Sequence, residues 1–432
     1  MTPVLFTALF VAALAVSLSL QLWLARRHVR HVAAHRERVP DAFADRIAVD
    51  SHRKAADYTI ARTRFGAFET LVDAGVLLAL TLGGGMAALV ALTGALDWHP
   101  LLQDLALVVA LALVTGLIGL PFSWHRTFGI EARFGFNRSS PKLWLADLAK
   151  GVLVGALLGL PLAALVLWLM RAAGAAWWLW AWGAWIAFQF LILLLYPTVI
   201  APLFNKFSPL PAGPPRDTIE RLLARCGFAN NGLYVMDGSR RSSHGNAFFT
   251  GFGRSKRIVL FDTLLERLEP AELEAVLAHE LGHFRLRHVQ KNMAWMAAAS
   301  FGFLALLAWL MASPWFYAGL NVPPVPGRPG IALLLFFLVL PVFTFALAPL
   351  LSLASRRHEF EADAFAARHA SAAALTQALV KLYQDNAATL TPDPLHSAFH
   401  DSHPPAVVRV ARLNALAAAN PAARAEPAAA AD

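Results

Sequence analysis

Seven stretches of the chain are each long and apolar enough to cross a bilayer, which takes ~20 residues. They are Pro3–Leu24, Ala67–Leu92, Leu101–Phe122, Leu148–Met170, Ala176–Ile200, Met293–Ala312 and Ile331–Leu353. Backbone polar groups in lipid must be satisfied within the segment, and helices do this. The expected fold class is therefore an all-α integral membrane protein with seven transmembrane helices. Breakers interrupt the pattern at Gly83–Gly85, Pro161, Pro341 and Pro349. Neighbouring helices can satisfy the backbone groups that such residues free.

Composition agrees. Of 432 residues, 57% are hydrophobic and 15% charged, and the mean hydropathy is +0.52. That excludes disorder, collagen and a disulfide-rich scaffold. Cys226 is the single cysteine, so no intrachain disulfide or four-thiolate metal site can form. Any metal must rest on His and carboxylates. Arg outnumbers Lys and Ala is abundant, a bias of GC-rich coding that points to a bacterial inner membrane.

The net charge of +9 has a location. The loop 25–66 holds ten Lys/Arg, and the loop 123–147 holds Arg126, Arg133, Arg138 and Lys142. The intervening loop around Asp97–Pro100 holds none. The turn after the fourth stretch has only Arg171, and the loop 313–330 only Arg328. Alternating basic and neutral loops place the N-terminus outside and the C-terminus in the cytoplasm. The first stretch lacks a basic leader and is followed at once by Arg26, Arg27 and Arg30, so it reads as an uncleaved anchor. A nucleic-acid binder would need a focused basic stripe with readout residues. The sequence has no such module, and the lipid bilayer is the expected partner.

The expected organisation follows. Residues 1–204 form transmembrane helices one to five with their loops, and 292–353 form helices six and seven. Residues 205–291 and 354–416 are two cytoplasmic parts of one catalytic domain. Residues 417–432 are an Ala/Pro-rich, disordered tail.

His279-Glu280-Leu281-Gly282-His283 fits the H-E-x-x-H pattern. Pro270 suits a first helical turn. Glu269, Glu272 and Glu274 lie near the positive end of the dipole, and Leu273, Val276 and Leu277 form a helical stripe. His279 and His283 then share one face, where two imidazoles can bind one Zn²⁺ at ~2.0–2.1 Å each. Glu280 points aside and can reach a water at the metal. The plainer reading is a polar helix face at the membrane surface.

A catalytic zinc needs a third protein ligand and an open position. The run Arg356-Arg357-His358-Glu359-Phe360-Glu361-Ala362-Asp363 offers one. Glu359 and Asp363 share a face, so Glu359 can be the ligand and Asp363 can accept a ring N–H of a ligating His. His358 is the rival ligand. An exposed helix, with Arg356, Arg357 and Arg368 paired to Glu, is the plainer alternative.

Two further segments complete the candidates. Ser402-His403-Pro404-Pro405, with Arg409, reads on sequence alone as a helix entry with an exposed His, though such a His could donate to an oxyanion. Gly245-Asn246-Ala247-Phe248-Phe249-Thr250-Gly251-Phe252-Gly253, followed by Arg257–Phe261, reads as a small β hairpin. Its edge could hold an extended peptide by main-chain hydrogen bonds, or it could simply cover the domain core.

Together these motifs resemble the type I CAAX prenyl endopeptidases, a family of seven-span integral-membrane zinc metallopeptidases. Further matching segments are Arg133-Phe134-Gly135-Phe136-Asn137-Arg138 and Pro202-Leu203-Phe204-Asn205-Lys206-Phe207-Ser208-Pro209-Leu210. The resemblance implies that His279, His283 and Glu359 are zinc ligands, Glu280 the general base, and Asp363 a support behind the ligands. It implies that Asn246 and the strand after it, Ala247 and Phe248, line the peptide-binding edge. His403 and Arg409 would contact substrate or transition state. The family's spans enclose a large chamber with the zinc site, in a zincin-like α domain with its hairpin, on the cytoplasmic side. Length, span number and the Asn205–Leu210 segment set the chain apart from the four-span heat-shock membrane proteases that share the zinc helix.

The expected function is zinc-dependent hydrolysis of peptides or protein C-termini, with one Zn²⁺ per chain. Glu280 takes a proton from the attacking water and returns it to the leaving amine. Prenylated termini are the substrate the resemblance implies, and a broader peptidase role suits a bacterium. A transporter or scaffold with a structural zinc site is the alternative from another class. It would have four protein ligands and no need of Glu280.

Overall fold

The first helix starts at a cap. The Thr2 hydroxyl accepts the Leu5 N–H at 3.3 Å, and Pro3 occupies a first-turn position where no N–H is needed. From there α1 (Pro3–Ala34) carries the arginines beyond Leu24 as a continuation of the same rod. The protein is described by a computed structural model over residues 1–228, 232–250 and 257–419.

The second apolar stretch is not one straight helix. α2 (Val49–Leu80) and α3 (Gly85–Gly94) meet at a 52° bend. Glycine makes the bend possible: Gly84 sits at φ 81°, and a Cβ on Gly83 would lie 2.8 Å from the Ala79 carbonyl oxygen. α4 (Pro100–Trp124) runs on through a wide π turn at His125–Glu131. α5 (Pro141–Ala172) is capped by Ser140, and α6 (Trp177–Leu195) is followed by another π turn and the short α7 (Ala201–Phe204). Six helical stretches are long and apolar enough to cross a membrane, with the bent α2–α3 pair as a further candidate.

Between these stretches lies a four-stranded sheet. It is built from β1 (Phe207–Pro209), β2 (Leu233–Met236), β3 (Ala247–Thr250) and β4 (Arg257–Phe261), with α8 (Pro214–Arg225) between the first two. The order is β1-β2-β4-β3. β3 and β4 are the expected antiparallel hairpin, with Phe248 opposite Val259, but β2 runs parallel to β4. The hairpin is therefore the edge of a mixed sheet, which corrects the all-α reading with an isolated hairpin. Its expected turn at Gly251–Gly253 lies outside the described residues.

α9 (Asp262–Leu265) leads into α10 (Pro270–Arg285), then α11 (His288–Met311), α12 (Pro314–Ala318), α13 (Gly330–Thr344) and α14 (Ala348–His369). α15 (Ala372–Asp385), α16 (Pro394–His400) and α17 (Ala406–Ala419) follow. α17 extends through Ala417–Ala419, so these three residues are helical rather than disordered; the rest of the expected tail, 420–432, lies outside the described residues. One apolar core joins sequence-distant pieces: Ile219 and Leu222, Leu260, Leu273 and Leu277, then Ala366, Leu375 and Leu413. A second core, with Phe10, Phe316 and Ile331, closes the far end of the helix bundle.

The lone basic residue of the loop 313–330 is accounted for there. Arg328 is buried and donates from Nε to Asp104 Oδ1 at 2.9 Å. Its other nitrogens reach Val90 O, Thr93 Oγ1 and Gln103 O, while Asp104 Oδ2 accepts the Gly330 N–H at 3.0 Å. The pair thus pins α3, α4 and the start of α13. Removing one partner strands a buried charge, at a cost of ~3–5 kcal/mol. Asp104→Ala is expected to lower the thermal midpoint of the detergent-solubilised protein by several degrees. An unchanged midpoint would contradict this role.

Candidate active site

α10 is set up by its first turn. Pro270 begins it, and the Glu269 N–H donates to the Glu272 carboxylate at 2.9 Å. Lys381 of α15 reaches the same carboxylate at 2.6 Å. Leu273, Leu277 and Leu281 enter the core, which fixes the helix's rotation. His279 and His283 are thereby turned toward α14.

The spacing of the two helices depends on Gly282. A Cβ there would lie 3.1 Å from both Ala362 Cα and Phe365 Cβ of α14. With hydrogen at that position, the helices approach closely enough for Glu359 to face both histidines. His279 Nε2 and His283 Nε2 are 3.2 Å apart. Glu359 Oε1 lies 3.2 Å from His283 Nε2, and Oε2 lies 3.5 Å from His279 Nε2. Ligand atoms held tetrahedrally at ~2.0–2.1 Å from one ion would be about 3.3–3.4 Å apart, so these edges match a metal-sized gap. Glu359 Oε2 is buried with no hydrogen-bond partner, which suits a cation more than a closed polar network.

The surroundings of the triad are charged. Asp363, fully buried, places Oδ1 2.9 Å from His279 Nδ1. The contact is short but not aligned as a hydrogen bond, since Nδ1 is also a buried atom without a hydrogen-bond partner. Arg409 of α17 holds Asp363 with two bonds, Nε to Oδ2 at 3.0 Å and Nη2 to Oδ1 at 2.6 Å, and its Nη1 is 3.5 Å from Glu359. Burial would push the His279 imidazole down, but Asp363 and Glu359 outweigh it and raise it to about 9. The pocket therefore favours positive charge at this point.

Glu280 lines the same cleft, of about 330 Å³, with His279, Glu359, His403 and Asn246. Burial pushes its carboxyl above the ordinary range. Among the described residues, no hydrogen bond or ion pair holds it. His403 stands exposed on the opposite side, Nε2 3.4 Å from Glu359 Oε1, with Ser402 Oγ 3.0 Å from its Nδ1. β3 borders the cleft as an edge strand. The Phe261 N–H donates to Asn246 O, so alternation turns the main-chain groups of Ala247 and Phe249 to the free edge. The Asn246 side chain covers the Ala247 N–H at 2.9 Å, while Phe248 stands among the sheet's aromatics near Phe261.

The structure lines one cleft with His279, Glu359, Glu280, His403, Asn246, Ala247 and Arg409, and sets His283 against Glu359 and Asp363 against Arg409 beside it. It leaves His358 out, stacked on His288 at 4.1 Å. His288 was not singled out by sequence reasoning. Its Nδ1 lies 3.0 Å from His283 Nδ1, and its Nε2 lies 3.1 Å from Glu361 Oε2. A second imidazole thus braces the second histidine, as Asp363 braces the first. The only available signal was its position five residues after His283. Arg357 pairs with Glu361, and Arg356 ties α14 to Ser397, so these arginines leave Glu359 to the histidines.

Comparison with known proteins agrees with this fold. Residues 28–206 match the family described as CAAX prenyl protease N-terminal, five membrane helices, and residues 210–417 match Peptidase family M48. The CAAX prenyl protease 1 homolog of Oryza sativa subsp. japonica is 38% identical over 73% of this chain and 74% of its own length. That of Homo sapiens is 31% identical over 94% and 96%. The crystal structure of S. mikatae Ste24p superposes with a TM-score of 0.89 at 29% identity, covering 95% of this chain and 99% of that one. The protein is a metallopeptidase of the membrane. It belongs to peptidase family M48, among the relatives of CAAX prenyl protease 1.

Two consequences can be measured in the purified protein. Asp363→Asn, which weakens the brace on His279, is expected to reduce metal affinity about 10–100-fold, whereas His358→Ala leaves it within twofold. Gly282→Val should part α10 from α14 and empty the site. Metal analysis after dialysis against a graded chelator reads both, and full occupancy of Gly282→Val would contradict the packing argument.

Proposed function

We propose that this chain is a zinc-dependent endopeptidase acting on peptides or protein C-termini, in the manner its CAAX-protease relatives are named for. The observation that carries the reading is the open three-residue gap beside a buried carboxylate oxygen, Glu359 Oε2, that no hydrogen bond holds, bordered by a free strand edge. His279, His283 and Glu359 would hold Zn²⁺. Bound there, zinc supplies Lewis-acid polarisation of a carbonyl and a water of lowered pKa, near ~7.

The chain's own groups do the rest. β3 receives the substrate as an added strand through Ala247 and Phe249, with Asn246 and Phe248 flanking it. Glu280 takes the proton of the attacking water and delivers it to the leaving amine. His403, exposed to the cleft, donates to the developing oxyanion. Asp363 keeps His279 with Nε2 toward the gap. Arg409 acts from behind: its guanidinium is occupied by Asp363, so we assign it to holding the ligands rather than to touching substrate. A structural site in a scaffold or transporter would close with a fourth protein ligand; among the described residues the grouping has three.

Residues 1–204 and 292–353 supply seven spans, counting α2–α3 as one, around a chamber. Residues 205–291 and 354–416 form one zincin-like catalytic unit. The N-terminus lies outside and the catalytic unit in the cytoplasm, supported by the alternation of basic loops. The Arg- and Ala-rich composition supports a bacterial inner membrane, although the relatives named above are eukaryotic. In such a membrane, unprenylated C-termini are the substrates to test first.

Glu280→Gln tests the reading. Metal content should match the wild type, and hydrolysis of a peptide substrate should fall by about 10²–10⁴-fold. Equal hydrolysis by both proteins would sink the mechanism.

A further inference from the structure

A second, larger cavity of about 1040 Å³ adjoins the cleft. The two share Gly245, Asn246, Asn386 and Ala388, so a peptide that passes Asn246 enters it. One wall is α2. Tyr58, Arg62 and Glu69 of that helix line the cavity, whereas Asp57, Ala61 and Arg64 line a separate groove on its other face. A mostly apolar chain thus presents arginine to a half-open space next to the cleft.

Two guanidiniums face that space, and they differ. Arg126 is held by Glu69, at 2.7 and 2.6 Å to the two carboxylate oxygens. Arg62 is exposed, and among the described residues no carboxylate lies within ion-pair distance of it. Its Nη1 donates only to Tyr58 Oη at 3.4 Å, and the guanidinium lies over the Tyr58 ring. The neighbouring acid, Glu131, is engaged elsewhere. It accepts the Tyr58 O–H at 2.5 Å and has His244 Nε2 at 3.6 Å. The tyrosine that orients Arg62 is therefore fixed, and the planar fork of donors remains available for a carboxylate.

The reach is right. Arg62, Tyr58, Glu131 and His244 form a chain of short contacts that ends two residues before Asn246. A CAAX-type terminus has three residues after its cysteine, and three extended residues span about 10 Å. A substrate added antiparallel to β3 would point its C-terminus past Asn246 toward this wall.

We propose that Arg62 receives the C-terminal carboxylate of the substrate and makes the enzyme selective for chain ends. This rests on the peptidase reading above. The test compares one peptide as the free acid and as the C-terminal amide. The wild type should favour the acid by about tenfold or more in kcat/KM, mainly through KM, as expected for a charge-assisted bond. In Arg62→Gln that ratio should collapse toward one, and in Arg62→Met likewise, which gives a second reading where the first variant accumulates poorly. Arg64→Gln, on the other face of α2, should keep it. Equal rates on acid and amide in the wild type would overturn the proposal. So would a preference that survives in both Arg62 variants, or one abolished by Arg126→Gln and not by them. Hydrolysis of both peptides persisting in Glu280→Gln would instead defeat the peptidase reading, so the two failures are distinguishable.

Discussion

The site depends on one close approach, that of α10 and α14 at Gly282. A side chain there would meet Ala362 and Phe365, and the gap between His279, His283 and Glu359 would open. The two helices come from different parts of the molecule. α10 grows out of the sheet and is fixed by the core around Leu273 and Leu277. α14 continues the apolar stretch that starts at Gly330, interrupted only by a tight turn at Phe345–Leu347. Glu359 is therefore placed by the long apolar stretch, and His279 and His283 by the core beside the sheet. The catalytic geometry exists only while the two remain in register.

Buried charge in this chain follows two designs. Around Arg328 each guanidinium nitrogen finds an acceptor, and Asp104 is satisfied by Arg328 and by the Gly330 N–H. That closed network holds three helices and leaves no position for a ligand. Around Glu359 the account does not close. Arg409 covers Asp363, but Glu359 Oε2 has no hydrogen-bond partner and, among the described residues, no hydrogen bond or ion pair holds Glu280. Leaving such groups unsatisfied is costly in a folded protein. The imbalance is understandable where a cation and a substrate complete the set.

Much of this was legible in the sequence, because it repeats with helical period. The His279–His283 spacing and the Glu359–Asp363 spacing each define one face, and the facing partners follow. The β3–β4 hairpin was legible from its alternation and glycines. The rest required three dimensions. β1 and β2 have three and four residues, too few for a periodic signal, so the mixed sheet was missed. His288 supports His283 across a helix boundary at Arg287, whose left-handed φ of 59° no local pattern announced. The hold of Arg409 on Asp363 could not be read from the chain, because the two are distant in sequence. The cavity beside α2 was invisible because both faces of that helix are polar in its first half.

The central claim is that two imidazoles and one carboxylate hold the metal while one position stays open. X-ray absorption at the zinc edge of the purified protein tests it most directly. The account predicts two nitrogen ligands from imidazole, the remaining ligands oxygen, and no sulfur, with loss of one oxygen contribution in Glu359→Ala. A third imidazole in the wild type, or a spectrum unchanged by that substitution, would contradict it.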